Sequence, residues 1–360
     1  DGFRQDPPYY AGEIMANAEK CLASATAEVP AAPAKELARL KKDYEALAEE
    51  ARHARSKDRE SLALDCSAKA LKMARDYNYS AQPSRDHELR ACWYRLSEKN
   101  PGELEQTIRR LSEAGFNCLC PETIYWGGAI YPGAHDLLGQ HPEFSGWDPL
   151  RELVRLCHQY NMKLVPWVEV YFIGFKESPL VHNRAEWLAM ARNGSHPSSL
   201  EEGYYFFCPS REEVRTFWLE VYEHLLRNYE IDGLQLDYIR YPRSIPWTEG
   251  FCYCPVCREK FFNLHDEDAA TINPSDNPEL WREWNRLRMS QVTGFVRRVR
   301  HLTRSLRPDI PLSADVFPDL TEALDSKFQD WPGWAAEGYL DELYFMAYTT
   351  DAEWLRRDIR

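Results

Sequence analysis

Asp232-Gly-Leu-Gln-Leu-Asp-Tyr-Ile-Arg-Tyr-Pro-Arg243 runs from a turn into a short apolar strand, Leu234 to Leu236, and out through Asp237. Tyr238, Arg240, Tyr241 and Arg243 crowd its exit. A carboxylate where a buried strand surfaces is hard to explain as packing, because burying an unpaired ion costs several kcal/mol. In a parallel α/β barrel the C-terminal ends of the strands are where side chains meet substrate. Asp237 is therefore the expected functional centre. Asp232, which precedes a glycine at a turn, reads as structural.

Outward from this strand, from about residue 88, short apolar runs alternate with amphipathic stretches. Strands are expected over 90–94, 116–121, 163–170, 233–238, 312–317 and 343–348, and helices over 102–114, 149–160, 211–229 and 281–306. Crossovers of that length imply a parallel sheet with helices outside. Strands that are apolar throughout are covered on both faces. The expected fold is α/β, a (β/α)8 TIM-type barrel over residues 87–360. Six strands are visible where a closed barrel has eight, so the expectation is a barrel lacking its last two βα units.

Residues 1–86 have a different texture. Leu37, Leu40, Tyr44, Leu47, Ala51 and Ala54 mark one helix face, and Leu62, Cys66, Ala70, Met73 and Tyr77 mark another. The charged stretch from Arg55 to Asp58 suits a short antiparallel connection, and residues 28–34 read as the loop before the first helix. An N-terminal helical hairpin without chemistry of its own is expected.

If the strands are parallel, Glu122, Glu169, Asp237 and Asp315 all leave the sheet on one face. Trp126, Trp167, Tyr171, Tyr238 and Tyr348 would wall the space between them, with Arg240 and Tyr241 beside it. Convergent carboxyl groups between aromatic walls are what glycosidic cleavage requires: one protonates the leaving oxygen while another attacks, steadies charge or activates water. The blander reading pairs some of these acids with arginines or helix ends. It weighs more for Glu122 and Glu169 than for Asp237. His135, in a loop after the second strand, reads first as a loop residue.

Composition narrows the partners. A net charge of −13 argues against nucleic acid, and no run approaches the ~20 apolar residues of a membrane span. Twelve Trp and 20 Tyr suit sugar faces as well as cores. Localisation is weakly written in the sequence, and an extracytoplasmic one is the expectation. Ten cysteines in a chain of this length do not form a small disulfide scaffold. Cys252, Cys254 and Cys257 lie in C-x-C-x-x-C spacing and can reach one tetrahedral ion, with Cys208 or His265 as a fourth ligand. Such a zinc would be structural; no cofactor is expected for catalysis.

The strand-and-exit segment also resembles the fourth-strand signature of the glycosyl-hydrolase-like 10 family, also called DUF187. Weaker matches surround it: the helix entering Glu113-Ala-Gly-Phe-Asn117, the strand after Cys157-His-Gln-Tyr-Asn-Met162, and Cys208-Pro-Ser-Arg-Glu-Glu-Val-Arg215. The resemblance covers about residues 88 to 350 and implies a TIM barrel acting on glycans, some bacterial members acting on peptide-stripped peptidoglycan strands. It carries over Asp237 as the catalytic acid, with Arg240 and Tyr241 as neighbours, and leaves its partner open among Glu122, Glu169 and Asp315. The expected activity is glycoside hydrolysis. The competing readings are a glycan-binding barrel without turnover and a metal-dependent lyase or aldolase.

Overall fold

The computed structural model describes residues 7–23, 34–81 and 88–358. The chain divides into two compact units, Asp1–Glu88 and Leu89–Arg360.

Among its described residues the first unit has three helices: α1 (Pro7–Ala23), α2 (Ala34–Ser56) and α3 (Glu60–Ala81). The expected hairpin is α2 and α3, and α1 is an addition to it. Ala18, Tyr44, Ala48, Ala70 and Ala74 form a shared core. Alanines let helices approach closely but give a faint periodic signal, so α1 was not visible as an apolar face. Of the loop expected over 28–34, residues 28–33 lie outside the described ones. The connection between α2 and α3 falls at 57–59, slightly later than expected.

The second unit is built on β1 (Ala91–Tyr94), β2 (Cys118–Tyr125), β3 (Gly128–Ala129), β4 (Gly139–Gln140), β5 (Lys163–Leu164), β6 (Trp167–Glu169), β7 (Phe172–Gly174), β8 (Tyr205–Phe206), β9 (Leu234–Asp237), β10 (Leu312–Val316) and β11 (Glu342–Phe345). Around them run α4 (Pro101–Glu113), α5 (Pro149–Gln159), α6 (Pro179–Asn183), α7 (Glu212–Asn228), α8 (Pro255–His265), α9 (Pro278–Leu306), α10 (Trp331–Ala336) and α11 (Ala352–Asp358). β1 pairs with β2, β2 with β5 and β6, β6 with β9, β9 with β10, and β10 with β11, every pair parallel. The result is six successive parallel tracks of a TIM-type barrel. β7 and β8 form a separate antiparallel pair in the long excursion after β6.

Every position of β2, β9 and β10 is buried. α7 turns Val214, Phe217, Trp218, Val221, Tyr222, Leu225 and Leu226 inward, a helical stripe that covers the sheet. Asn100 and Asp148 start α4 and α5 by accepting the N–H groups of Glu103 and Arg151, each with proline at the first helical turn. The strand expected over 163–170 is broken in two. Pro166, which has no N–H to donate, lies in the break. β2 runs four residues beyond its expected end, so Glu122 stands inside the strand.

Candidate active site

The register of the parallel strands assembles the site. Glu169 of β6 is paired with Asp237 of β9, and Trp167 with Gln235, so these side chains stand in facing positions on neighbouring strands. Glu122 is paired with Trp167 from the other side. Arg95, Glu122, Trp167, Glu169, Asp237, Tyr238, Arg240, Phe317, Met346 and Tyr348 line one cleft of ≈ 300 Å³. That is the low end of the range for small-ligand sites. A larger cavity of ≈ 620 Å³ lies along β1 and β11, but it holds none of the clustered carboxyl groups. The smaller one is the candidate site, because it gathers the carboxyl groups.

Asp237 is almost fully buried. Its Oδ2 accepts the Trp167 indole N–H at 2.8 Å, and its Oδ1 accepts the Tyr238 backbone N–H at 2.6 Å. Burial nevertheless pushes its pKa up to about 6, against the pull of those two donors and of Arg240. Glu169 is lifted well above the usual carboxylate range, by burial first and then by the nearby Glu122 charge. It accepts the Trp126 N–H at 3.1 Å. Asp315 is also lifted well above its ordinary value, by burial and by Asp237. Its Oδ1 has no hydrogen-bond partner among the described residues.

Trp126 and Tyr238 each adopt a left-handed backbone, with φ of 48° and 46°. Such a conformation costs a bulky residue about 1–3 kcal/mol and persists where its surroundings enforce it. Each of these two residues turns its N–H onto a cleft carboxyl group.

Arg95 clasps Glu122 through two N–H···O contacts, the second at 2.6 Å. It also lies over the rings of Tyr125 and Trp126. Arg240 lies 4.8 Å from the centroid of the Tyr238 ring. Glu201, from the excursion between β7 and β8, holds it: Arg240 Nη2 and Lys327 Nζ each stand 2.9 Å from Glu201 Oε1, and the Arg243 N–H donates to Oε2 at 2.6 Å. Burial works against the Glu201 charge, yet the two cations bring its pKa down to about 2. Burial draws Lys327 down to about 8, with Arg240 adding to the effect.

Of the residues expected at the site, Glu122, Trp167, Glu169, Asp237, Tyr238, Arg240 and Tyr348 line the cleft. Trp126 adjoins it through Glu169. Asp315 sits one strand over, on β10. Tyr171 and Tyr241 lie elsewhere. Tyr171 is buried with its ring 5.7 Å from Phe295, because its side chain faces the helix layer. Tyr241 is buried with its hydroxyl 3.1 Å from Ser210 Oγ. His135 is away from the cleft, 2.9 Å from Glu220. Arg95, Phe317, Met346, Glu201 and Lys327 were not foreseen. Arg95 follows β1 directly, so the strand-end rule that found Asp237 could have found it. Glu201 lies in a long excursion and carries no local signal.

The four thiols expected to share an ion also come together. The Sγ atoms of Cys208, Cys252, Cys254 and Cys257 lie within 4.8 Å of one another and all four residues are buried. His265 instead packs on Phe261 at 4.6 Å.

Comparison with known proteins agrees with this architecture. The chain is 21% identical over 333 residues to the glycosyl hydrolase YngK of Bacillus subtilis (strain 168), a match spanning 78% of this chain and 60% of that protein. It is 25% identical over 195 residues to an S-layer-related protein of Niallia circulans, spanning 47% of this chain and 12% of that one. The chain thus spans less than two thirds of the length of these curated relatives. Its fold is similar to that of the PgaB (BpsB) glycoside hydrolase domain from Bordetella bronchiseptica, with a TM-score of 0.59, 15% identity and coverage of 75% of this chain and 79% of that one. Among the described residues, no helix is long and apolar enough to cross a membrane. The family described as Glycosyl hydrolase-like 10 matches residues 88–356, and the chain belongs to that family.

Proposed function

We propose that the cleft hydrolyses O-glycosidic bonds of a polysaccharide or oligosaccharide, with Glu169 and Asp237 as the working pair. The observation that carries this reading is their facing register on β6 and β9, inside a cleft walled by Trp167, Tyr238 and Tyr348. Environments that push two carboxyl groups apart in acidity divide the acid's part from the base's. Asp237 ionises at about 6 and accepts two N–H bonds, both of which favour its anion. Glu169 lies beside Glu122 and accepts a single N–H, from Trp126, so burial and the neighbouring charge lift it well above the usual carboxylate range and favour its protonated form. Glu169 therefore donates to the leaving oxygen, and ionised Asp237 attacks or steadies the oxocarbenium-like centre. This reverses the part that the family resemblance gave Asp237. Arg95 and Arg240 flank the pair and orient hydroxyl groups of the sugar. Glycan strands of peptidoglycan are one substrate class that fits, and the S-layer-related relative agrees with an extracytoplasmic setting.

Leaving-group chemistry tests the assignment. A glycoside with an activated aryl leaving group needs little protonation, so Glu169→Gln should retain most of its turnover on it while losing natural glycans. Asp237→Asn should lose both. Equal loss on both substrates in Glu169→Gln contradicts the acid's part. Binding across a glycan panel with no reducing ends released by the native protein contradicts hydrolysis itself.

A further inference from the structure

We propose that Cys208, Cys252, Cys254 and Cys257 bind one zinc ion in a closed tetrathiolate site. It would tie the turn between β8 and α7 to the loop that runs from the end of β9 into α8. The assignment is independent of the hydrolase reading, since metal content is measured without turnover.

Sulfur spacing is the first support. Cys208 Sγ lies 3.4 Å from Cys257 Sγ and 3.6 Å from Cys254 Sγ. Zinc–sulfur bonds of about 2.3 Å in tetrahedral array put neighbouring sulfurs about 3.8 Å apart. A disulfide needs about 2.0 Å, and all four cysteines are free. The local backbone suits thiolates. Cys254 is the N-cap of α8 and Cys257 sits in its first turn, where the helix end favours negative charge. The Met190 N–H donates to Cys252 Sγ at 3.3 Å.

Charge is the second and independent support. Arg288 of α9 is 2% exposed and lies within electrostatic reach of Cys252 and Cys257. Its hydrogen bonds go to the Phe251 carbonyl and the Asn285 side chain, both neutral. Among the described residues no carboxylate pairs with it; the faces of Trp281, Trp284 and Phe328, the last 3.9 Å away, take part of its charge, and a nearby anion, which neutral thiols do not provide, would take the rest. Zinc with four thiolates carries a net charge of two minus. Lys260 of α8, whose Nζ donates to the Ser210 carbonyl at 2.7 Å, is a second cation within electrostatic reach, of Cys208 and Cys257. Arg288 and Lys260 together balance the centre.

Binding displaces four thiol protons to solvent and leaves no open coordination position, so the ion is structural. Its effect reaches the cleft along the chain. Tyr241 is within electrostatic reach of these thiols, bonds Ser210 two residues after Cys208, and follows Arg240 directly. The zinc tie thus fixes the exit of β9.

Elemental analysis of the full chain, purified without chelator, should give one zinc per chain. Cys252→Ser and Cys257→Ser should lose it, while Cys66→Ala, in the N-terminal unit, should keep it. Should the serine variants fail to fold, native protein treated with an organomercurial should release one zinc per chain to a chromophoric chelator. Protein loaded with cobalt(II) should show sulfur-to-metal charge-transfer absorption. Sub-stoichiometric zinc, iron in its place, or a disulfide among the four in native protein overturns the assignment.

Discussion

Asp237 accepts two well-formed hydrogen bonds and still ionises near pH 6, because the desolvation it suffers outweighs what the Trp167 and Tyr238 donors return. The sign of the stability effect follows. Its folded pKa exceeds the unfolded value, so its contribution is most favourable below the unfolded pKa and is lost as pH rises through about 6. A rise from 3.8 to about 6 corresponds to about 3 kcal/mol. Asp237→Asn is therefore expected to stabilise the fold at pH 7 by up to that energy, with a higher melting temperature, while lowering kcat/KM by about 10²–10⁴. Calorimetry beside a turnover assay checks both. In the native protein kcat/KM should fall as pH drops through about 6, when Asp237 takes up its proton. Trp167→Phe removes a bond to a charged acceptor worth about 1.5–3 kcal/mol. The acidic limb of the pH profile should then move upward by about one pH unit, a shift that simple loosening of the cleft would not produce.

Elements place these residues, and some of that was legible in advance. Apolar strands ending on acids marked Glu169, Asp237 and Asp315, since a buried parallel strand has a plain sequence signature. The interruption at Pro166 and the extension of β2 through Glu122 depend on pairing partners, which local pattern does not contain. The excursion between β7 and β8 shows this more sharply. Its Glu201 pins Arg240 and Lys327, yet nothing near it in the chain points to the cleft. Removing one partner of a buried ion pair costs about 3–5 kcal/mol. Glu201→Gln should destabilise the protein by that order and raise KM more than it lowers kcat, as steady-state kinetics and chemical unfolding can show. Gly174 in β7 has φ +103°, and a Cβ there would stand 2.9 Å from Trp126 Cα. Gly174→Ala should therefore shift the backbone whose N–H serves Glu169. Loss of activity on natural glycans together with reduced stability is the expected result.

Across the whole molecule, all cleft residues and all four clustered cysteines belong to the unit Leu89–Arg360. The helical unit supplies none of them, so a chain beginning at residue 89 should keep kcat/KM within a few-fold of the full chain. The barrel class was readable because strand and helix periods alternate from residue 90 to residue 348. The first N-terminal helix, α1, was not, because its buried face is largely alanine. Cys208 lies 44 residues before Cys252 in sequence, and only the fold shows that it joins the other three. The most direct test of the account is reducing-end release from a broad glycan panel by native protein and by a folded Asp237→Asn variant. Release by the native chain that falls at least about a hundredfold in the variant is the predicted result. Undiminished release by Asp237→Asn would contradict it.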